Sequence, residues 1–336
     1  MRLGLIGLGK MGSRIAIKLL KEGYEVVVWN RSKAVAEKFK IHSSLQGSTL
    51  QRLKVAKTIK ELITKLRKPR IVWLMLPAGP PTEEILKQVS KFVEKGDIII
   101  DGGNSYYKET QRRYKSFKKK GIKFLGIGVS GGIIAEKTGY PLMVGGDKSA
   151  YDYIKPILNS LSKPKGGHEY FGEGGAGHFV KMIHNGIEYG IMQSLGEGFE
   201  VLEKAPYKLD LLKVAKLYQR GTLVSGFMLD RATEVLSKDS TLSSIEGYIE
   251  ESGEARWTID QAKEEGVPVE IIEKSLEFRK RSQKDEKIQE SFTARMIAAL
   301  RNAFGGHPVR HPSAPLRIKA QGEPVRLAPS RGGQAR

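Results

Sequence analysis

The stretch MRLGLIGLGKMGSRIAIKLLKEGYEVVVWNRS, residues 1–32, decides how the chain is to be read. RLGLIG (2–7) is a short apolar run that predicts a buried strand. Residues from about Gly12 to Glu22 carry helical spacing, and EVVVW (25–29) predicts a second strand. The order is β-α-β. Its turn reads Gly7-Leu8-Gly9-Lys10-Met11-Gly12, a GxGxxG that follows a strand and opens a helix. In that context the first glycine permits the tight turn, the second lets a pyrophosphate approach the backbone, and the third lets helix and strand pack closely. The helix N-terminus adds N–H donors for the phosphates. At the end of the second strand, where an acid would grip the adenine ribose of NAD, stand Asn30, Arg31 and Ser32. An amide, a guanidinium and a hydroxyl donate to a 2′-phosphate that a carboxylate would repel, so NADP is favoured, with NAD as the alternative.

Working outward, apolar runs alternate with helical spacing through IVWLMLP (71–77), a helix after Pro81, DIIIDGG (97–103) and KFLGIGVS (123–130). That alternation predicts a parallel, doubly wound sheet. After about Gly175 the β-like runs cease, and helical patterns fill 177–204, 208–219, 222–238, 254–265, 268–280 and 288–304. The expected fold is α/β: a Rossmann-like domain over 1–175, then an all-α domain over 176–307. The remaining 308–336, rich in Pro, Gly and Arg, is expected to be disordered.

Composition narrows the function classes. A chain of 336 residues can bury a sizeable core and suits two domains. It has no cysteine, which excludes disulfides and thiolate metal sites and suits a reducing cytoplasm. Met1 stands almost directly before LGLIG, leaving no room for a cleavable leader, and no stretch approaches the ~18 apolar residues of a membrane span. A soluble, cytoplasmic protein with no membrane partner is expected. The net charge of +20 makes nucleic acid the first suspect. Yet the basic residues are scattered over KSFKKK, ELITKLRKPR and FRKRSQKDEK, without a zinc-finger, aromatic RNA-binding or basic-zipper pattern. The charge therefore points to anionic small molecules.

Three segments carry candidate chemistry. In KMIHNGIEYG (181–190), a helix at about 100° per residue puts His184, Asn185 and Glu188 within roughly 60° of Lys181. Met182, Ile183 and Ile187 point away, and Ile191, Met192, Leu195, Phe199 and Leu202 continue an apolar helix that is expected to be buried. Polar groups buried there must satisfy one another or a ligand; a solvated face or a structural Lys/Glu pair is the rival reading. In DGGNSYYKET (101–110), Asn104 offers a donor and an acceptor at the carboxyl edge of the sheet. In GVSGG, Ser130, Gly131 and Gly132 can form a small carboxylate cradle. No convincing cluster of metal ligands occurs, so no metal is expected.

GLGKMG, WNRS, LMLPAG, DGGNSYYKE, GVSGG, GHFVKMIHNGIEYG, GEARWT with EEGVPVE, and LRNAFGGH together resemble the β-hydroxyacid dehydrogenase superfamily. Within it the chain is similar, from Met1 to about His307, to the short form of decarboxylating 6-phosphogluconate dehydrogenase. Relatives acting on hydroxyisobutyrate-like acids usually carry Ser-Thr in place of Gly103-Asn104 and Lys-x-x-Asn-Asn in place of KMIHN.

The resemblance implies NADP-dependent oxidative decarboxylation of 6-phosphogluconate in the pentose phosphate pathway. It implies Lys181 as general base and Glu188 as proton donor. It assigns Ser130, Gly131, Gly132, His184 and Asn185 to the substrate's carboxylate and hydroxyls, and Asn104 to the border of substrate and cofactor. Tyr189, Arg279 and Arg301 match phosphate-binding positions, with Arg281 a rival because the register around FRKRS is open. Met11, Ala78 and Gly79 match cofactor contacts. Longer relatives place a phosphate-binding Lys and Thr where this chain has Ser252 and Glu254. In them the segment like RNAFGGH reaches into the neighbouring subunit, so Arg301 and His307 imply at least a homodimer, or a homotetramer. The rival functions are a sister dehydrogenase for another small hydroxy acid, and a non-catalytic NADP-binding protein that uses its charge on nucleic acid.

Overall fold

The computed structural model describes residues 1–41 and 46–310. Strand β1 (Arg2–Ile6) enters the glycine turn and α1 (Lys10–Lys21), and β2 (Glu25–Trp29) follows. Helices α2 (Lys33–Lys40) and α3 (Gly47–Gln51) precede the edge strand β3 (Leu53–Val55). The chain crosses back through α4 (Ile59–Thr64) to β4 (Ile71–Leu74), α5 (Pro80–Val89), β5 (Ile98–Asp101), α6 (Tyr107–Lys119) and β6 (Lys123–Val129). A 3-10 turn (Gly132–Ile134) and α7 (Ala135–Thr138) then lead to β7 (Pro141–Gly146), α8 (Lys148–Ser162) and β8 (Gly167–Tyr170).

The sheet order is β3-β2-β1-β4-β5-β6-β7-β8. Its apolar runs resolve into two cores. Leu3, Leu5, Val26, Val28, Ile71, Trp73, Ile98 and Ile100 face one layer of helices. The residues between them, Val27, Val72, Leu74 and Ile99, face the other, together with Ile6. Alternation sends neighbours to opposite faces, so a strand covered on both sides is apolar throughout. Each such side chain, fully buried, contributes about 1.5–3 kcal/mol.

The expected parallel, doubly wound sheet holds from β3 to β6, and beyond it β7 runs antiparallel to β6 while β8 is parallel to β7. The connection from β6 to β7 is too short for the crossover that a parallel neighbour requires. Strand order reverses at β1: β2 and β3 lie on one side of it, β4 and the rest on the other. Open α/β sheets bind ligands beyond the carboxyl ends of the strands at such a point.

The helical half comprises α9 (Ala176–Glu203), α10 (Leu211–Tyr218), α11 (Phe227–Lys238), α12 (Glu254–Glu265), α13 (Glu270–Ser282), α14 (Glu286–Gln289) and α15 (Phe292–Gly305). Two helical expectations change. Residues 222–226 stay outside α11, whose N-cap is Gly226 at φ 153. The pattern at 288–304 splits at Ser291, whose side chain accepts from Ala294 N and starts α15 afresh. Helix α9 is also less buried than its sequence implies: Ile187 and Ile191 are 54% and 46% exposed. Of the segment expected to be disordered, residues 308–310 are described: Glu246 N donates to the Arg310 carbonyl and the Arg310 guanidinium lies over the Tyr248 ring. The rest, 311–336, is outside the described residues.

Candidate active site

The glycine turn has the geometry its sequence implies. Gly7 takes φ 99, and a Cβ on Gly12 would overlap the Gly7 carbonyl. Gly9 has no protein atom within 4 Å of where a Cβ would lie, so packing is not what requires glycine there. Gly9 caps α1 without a side-chain bond, leaving the helix N–H groups for an anion, and the turn fits a dinucleotide pyrophosphate. Asn30 plays a different part from the one expected. Its Oδ1 accepts from Leu8 N at 3.0 Å and its Nδ2 donates to the Ser32 carbonyl at 3.1 Å. The amide thus pins the turn to the end of β2 instead of standing free for a 2′-phosphate. Arg31 and Ser32 are exposed, and Ser32 caps α2 with no side-chain bond. Gly79 (φ 80) caps α5 after β4, with Ala78 just before it.

Between the sheet edge and the helical half lies a cleft of about 1790 Å³. Gly9, Lys10, Met11, Gly12, Asn104 and the Ser130-Gly131-Gly132 turn line one side; Lys181, His184, Asn185, Glu188, Tyr189, Arg279, Arg301 and His307 line the other. Gly7, Leu8, Asn30, Arg31, Ser32, Ala78 and Gly79 are not among its walls and belong to the neighbouring loops of β1, β2 and β4. Arg279 is only 2% exposed and lines the cleft, whereas Arg281 is exposed and is not among its walls.

Helix α9 sets the central group. Lys181 Nζ donates to Asn185 Oδ1 at 2.6 Å and lies 3.2 Å from His184 Nδ1. His184 Nε2 meets Ser130 Oγ at 3.2 Å. Burial pulls the Lys181 ammonium below its ordinary range, against the Glu188 and Glu254 carboxylates that hold it up. Burial pushes the Glu188 carboxyl up, opposed by Lys181 and Arg279. His184, driven to about 4 by burial and by Lys181, is neutral at pH 7, so its 3.7 Å approach to Glu188 is not an ion pair.

Farther along the cleft the Arg279 guanidinium sits 3.2 Å from the centre of the Tyr189 ring. Arg279 and Arg301 are buried with no carboxylate in salt-bridge contact among the described residues, and the buried Tyr189 hydroxyl has no partner there. Two desolvated guanidiniums and a spare hydroxyl form a subsite for a strong anion. His307 stands beside them, held to about 4 by burial and by Arg301. Arg301 and His307 both line the cleft of their own chain. The end of α15 docks on Gly132, where a Cβ would overlap the Phe304 carbonyl, and Lys10 Nζ donates to the Gly306 carbonyl.

Against known proteins, the NAD binding domain of 6-phosphogluconate dehydrogenase matches residues 2–174, and the C-terminal domain of 6-phosphogluconate dehydrogenase matches 177–296. The chain belongs to the 6-phosphogluconate dehydrogenase family. It is 35% identical over 311 residues to the NAD(+)-dependent, decarboxylating 6-phosphogluconate dehydrogenase of Haloferax volcanii, covering 92% of this chain and 98% of that one. It is 38% identical over 288 residues to the decarboxylating enzyme of Chlamydia trachomatis, covering 82% of this chain and 58% of that longer relative. The Plasmodium falciparum 6-phosphogluconate dehydrogenase structure, described with NADP+ and with 6-phosphogluconate, superposes with TM-score 0.76 at 34% identity, over 85% of this chain and 63% of that one.

Three residues support the site in roles the sequence did not announce. Asp101, buried at the end of β5, accepts from Gly103 N at 3.2 Å, Ser105 Oγ at 2.8 Å and Arg113 Nη1 at 2.9 Å, so it fixes the turn that carries Asn104. Glu254 reaches Asn104 from the opposite wall. Gly128 in β6 lies against Lys181, where a Cβ would overlap Lys181 Cβ. We expect Gly128→Ala to displace the amine, lowering kcat by about 10²-fold and stability by roughly 1–3 kcal/mol. Steady-state rates and a urea melt check both effects.

Proposed function

We propose that this oxidoreductase converts 6-phosphogluconate to ribulose 5-phosphate and CO2 with reduction of NADP. The observation that carries the reading is a buried amine, Lys181, in the cleft with a partly buried carboxyl, Glu188, two turns along the same helix. Burial thus shifts Lys181 toward the free amine a base needs and Glu188 toward the protonated carboxyl an acid needs. Lys181 takes the proton of the C3 hydroxyl as hydride leaves C3. The bound nicotinamide supplies the hydride acceptor. The new ammonium then donates to the C3 carbonyl, and that polarisation lets the β-keto acid lose CO2. Glu188 protonates the carbon that CO2 leaves, which becomes C1 of the product.

Ser130 and the N–H groups of Gly131 and Gly132 suit the substrate carboxylate. His184 and Asn185 suit its hydroxyls, and Arg279, Arg301, Tyr189 and His307 its phosphate. The loop of Arg31 and Ser32 supports NADP, although the Haloferax relative is named as NAD(+)-dependent. Arg31→Asp should then lower the NADP-over-NAD ratio of kcat/KM by about 10- to 100-fold, the worth of one charge-assisted contact. An unchanged ratio would remove Arg31 from the choice of cofactor. A division at residues 175/176 and a homodimer or homotetramer complete the reading, with exposed Ile187 and Ile191 as apolar surface for a second copy.

The test is direct: incubate the protein with 6-phosphogluconate and either cofactor, follow absorbance of the reduced nicotinamide, and trap CO2. Reduction with a non-phosphorylated β-hydroxy acid, and none with 6-phosphogluconate, would assign it to a sister dehydrogenase.

A further inference from the structure

Four residues of the turn after β5 and the start of α6 meet one face of α12. Asn104 Nδ2 donates to Glu254 Oε1 at 2.5 Å, and the Tyr106 ring stacks on Trp257 with centroids 5.1 Å apart. The Tyr107 hydroxyl donates to Gln261, and Lys108 pairs with Glu264. Positions 254, 257, 261 and 264 recur every three or four residues, so a single stripe of α12 faces the turn. The ladder joins the cofactor half to the helical half.

Glu254 and Asn104 form the one rung that lines the cleft. Glu254 is 5% exposed, and its helix is anchored there by the Thr258 hydroxyl, which donates to the Met182 carbonyl of α9 at 2.9 Å. Asn104 is thereby held twice: Asp101 fixes its backbone turn from behind, and Glu254 takes its amide N–H from across the cleft. With one Nδ2 proton held by Glu254, the amide plane is set and Oδ1 is left as its acceptor for a ligand.

We propose that Glu254 is a positioning residue for the oxidation step. It sets the orientation of the Asn104 amide, and its second carboxylate oxygen accepts a hydroxyl of the polyhydroxy acid. The anion ends of the substrate are thereby directed to Ser130 and to Arg279 and Arg301, away from a carboxylate that would repel them. This rests on the reaction proposed above. The same charge favours the ammonium form of Lys181, so it also bears on the base.

The experiment is a double-mutant cycle with the full chain, using Glu254→Ala, Asn104→Ala and the pair, with kcat and KM measured on 6-phosphogluconate and NADP. Each single change should lower kcat by about 10-fold, and the pair should lose little more than either alone, because both remove one coupled unit. Glu254→Gln keeps an acceptor for Asn104 but drops the charge. Its acid limb in kcat/KM should move to lower pH by about half a unit to one unit, as Lys181 loses a stabilising neighbour. A purely structural role would leave that limb in place. Losses that simply add, or an acid limb that stays, overturn the proposal. Wild-type turnover of 6-phosphogluconate tests the reaction itself, and the variants are read only against that baseline, so the two failures are told apart.

Discussion

Lys181→Met is expected to abolish NADPH formation from 6-phosphogluconate, a loss of at least 10²–10⁴-fold, the usual worth of a positioned general base. Methionine fits the stem of the buried lysine but can neither take the C3 hydroxyl proton nor polarise the ketone, so both uses of the amine go together. Asn185 Oδ1, which accepts from Nζ at 2.6 Å, loses its donor, and some stability should be lost with it. Cofactor binding should persist, because the glycine turn lines the other side of the cleft and the Arg31 loop lies beyond its walls. Stopped-flow absorbance together with a nucleotide-binding titration reads both. Wild-type turnover in the variant would sink the mechanism.

Glu188→Gln should separate the steps. Hydride transfer uses Lys181, so the first equivalent of NADPH should appear as a burst. Later turnovers should fall by about 10²-fold or more, because the carbon left by CO2 lacks its proton source. The pH profile gives a second reading. Activity should fall at low pH as Lys181 gains a proton through its lowered pKa, and at high pH as Glu188 loses one through its raised pKa. The two groups interact, so the limbs belong to the pair. In the glutamine variant the alkaline limb should vanish, and the absence of any burst would place Glu188 in the oxidation step instead.

Much of this was legible in the sequence, for physical reasons. Strands β1, β2, β4, β5 and β6 are buried on both faces, so they stand out as continuous apolar runs. Strands β3 and β8 lie at the edges, half exposed, and LKV and GHEY carry no such signal. The direction of β7 was hidden because PLMVGG reads as an apolar run whichever way it points. The polar stripe of α9 was visible because a helix repeats at a known angle. The hold of Glu254 on Asn104 was not, since 150 residues separate the partners and neither position announces the other. Asn30 misled for a related reason: an amide at the end of β2 can serve a ligand or its own backbone, and spacing does not distinguish them.

The contact between Lys10 and Gly306 ties the first turn of the chain to its last described helix, across 296 residues. This sets an order of maturation during synthesis. A nascent chain that has emerged only through Tyr170 already owns every strand of the sheet and the nucleotide turn, yet none of Lys181, Glu188, Arg279 or Arg301. On the ribosome the ability to hold a cofactor therefore arrives well before the ability to use it. A message truncated between the two points would encode the nucleotide turn without any of the groups proposed for the chemistry.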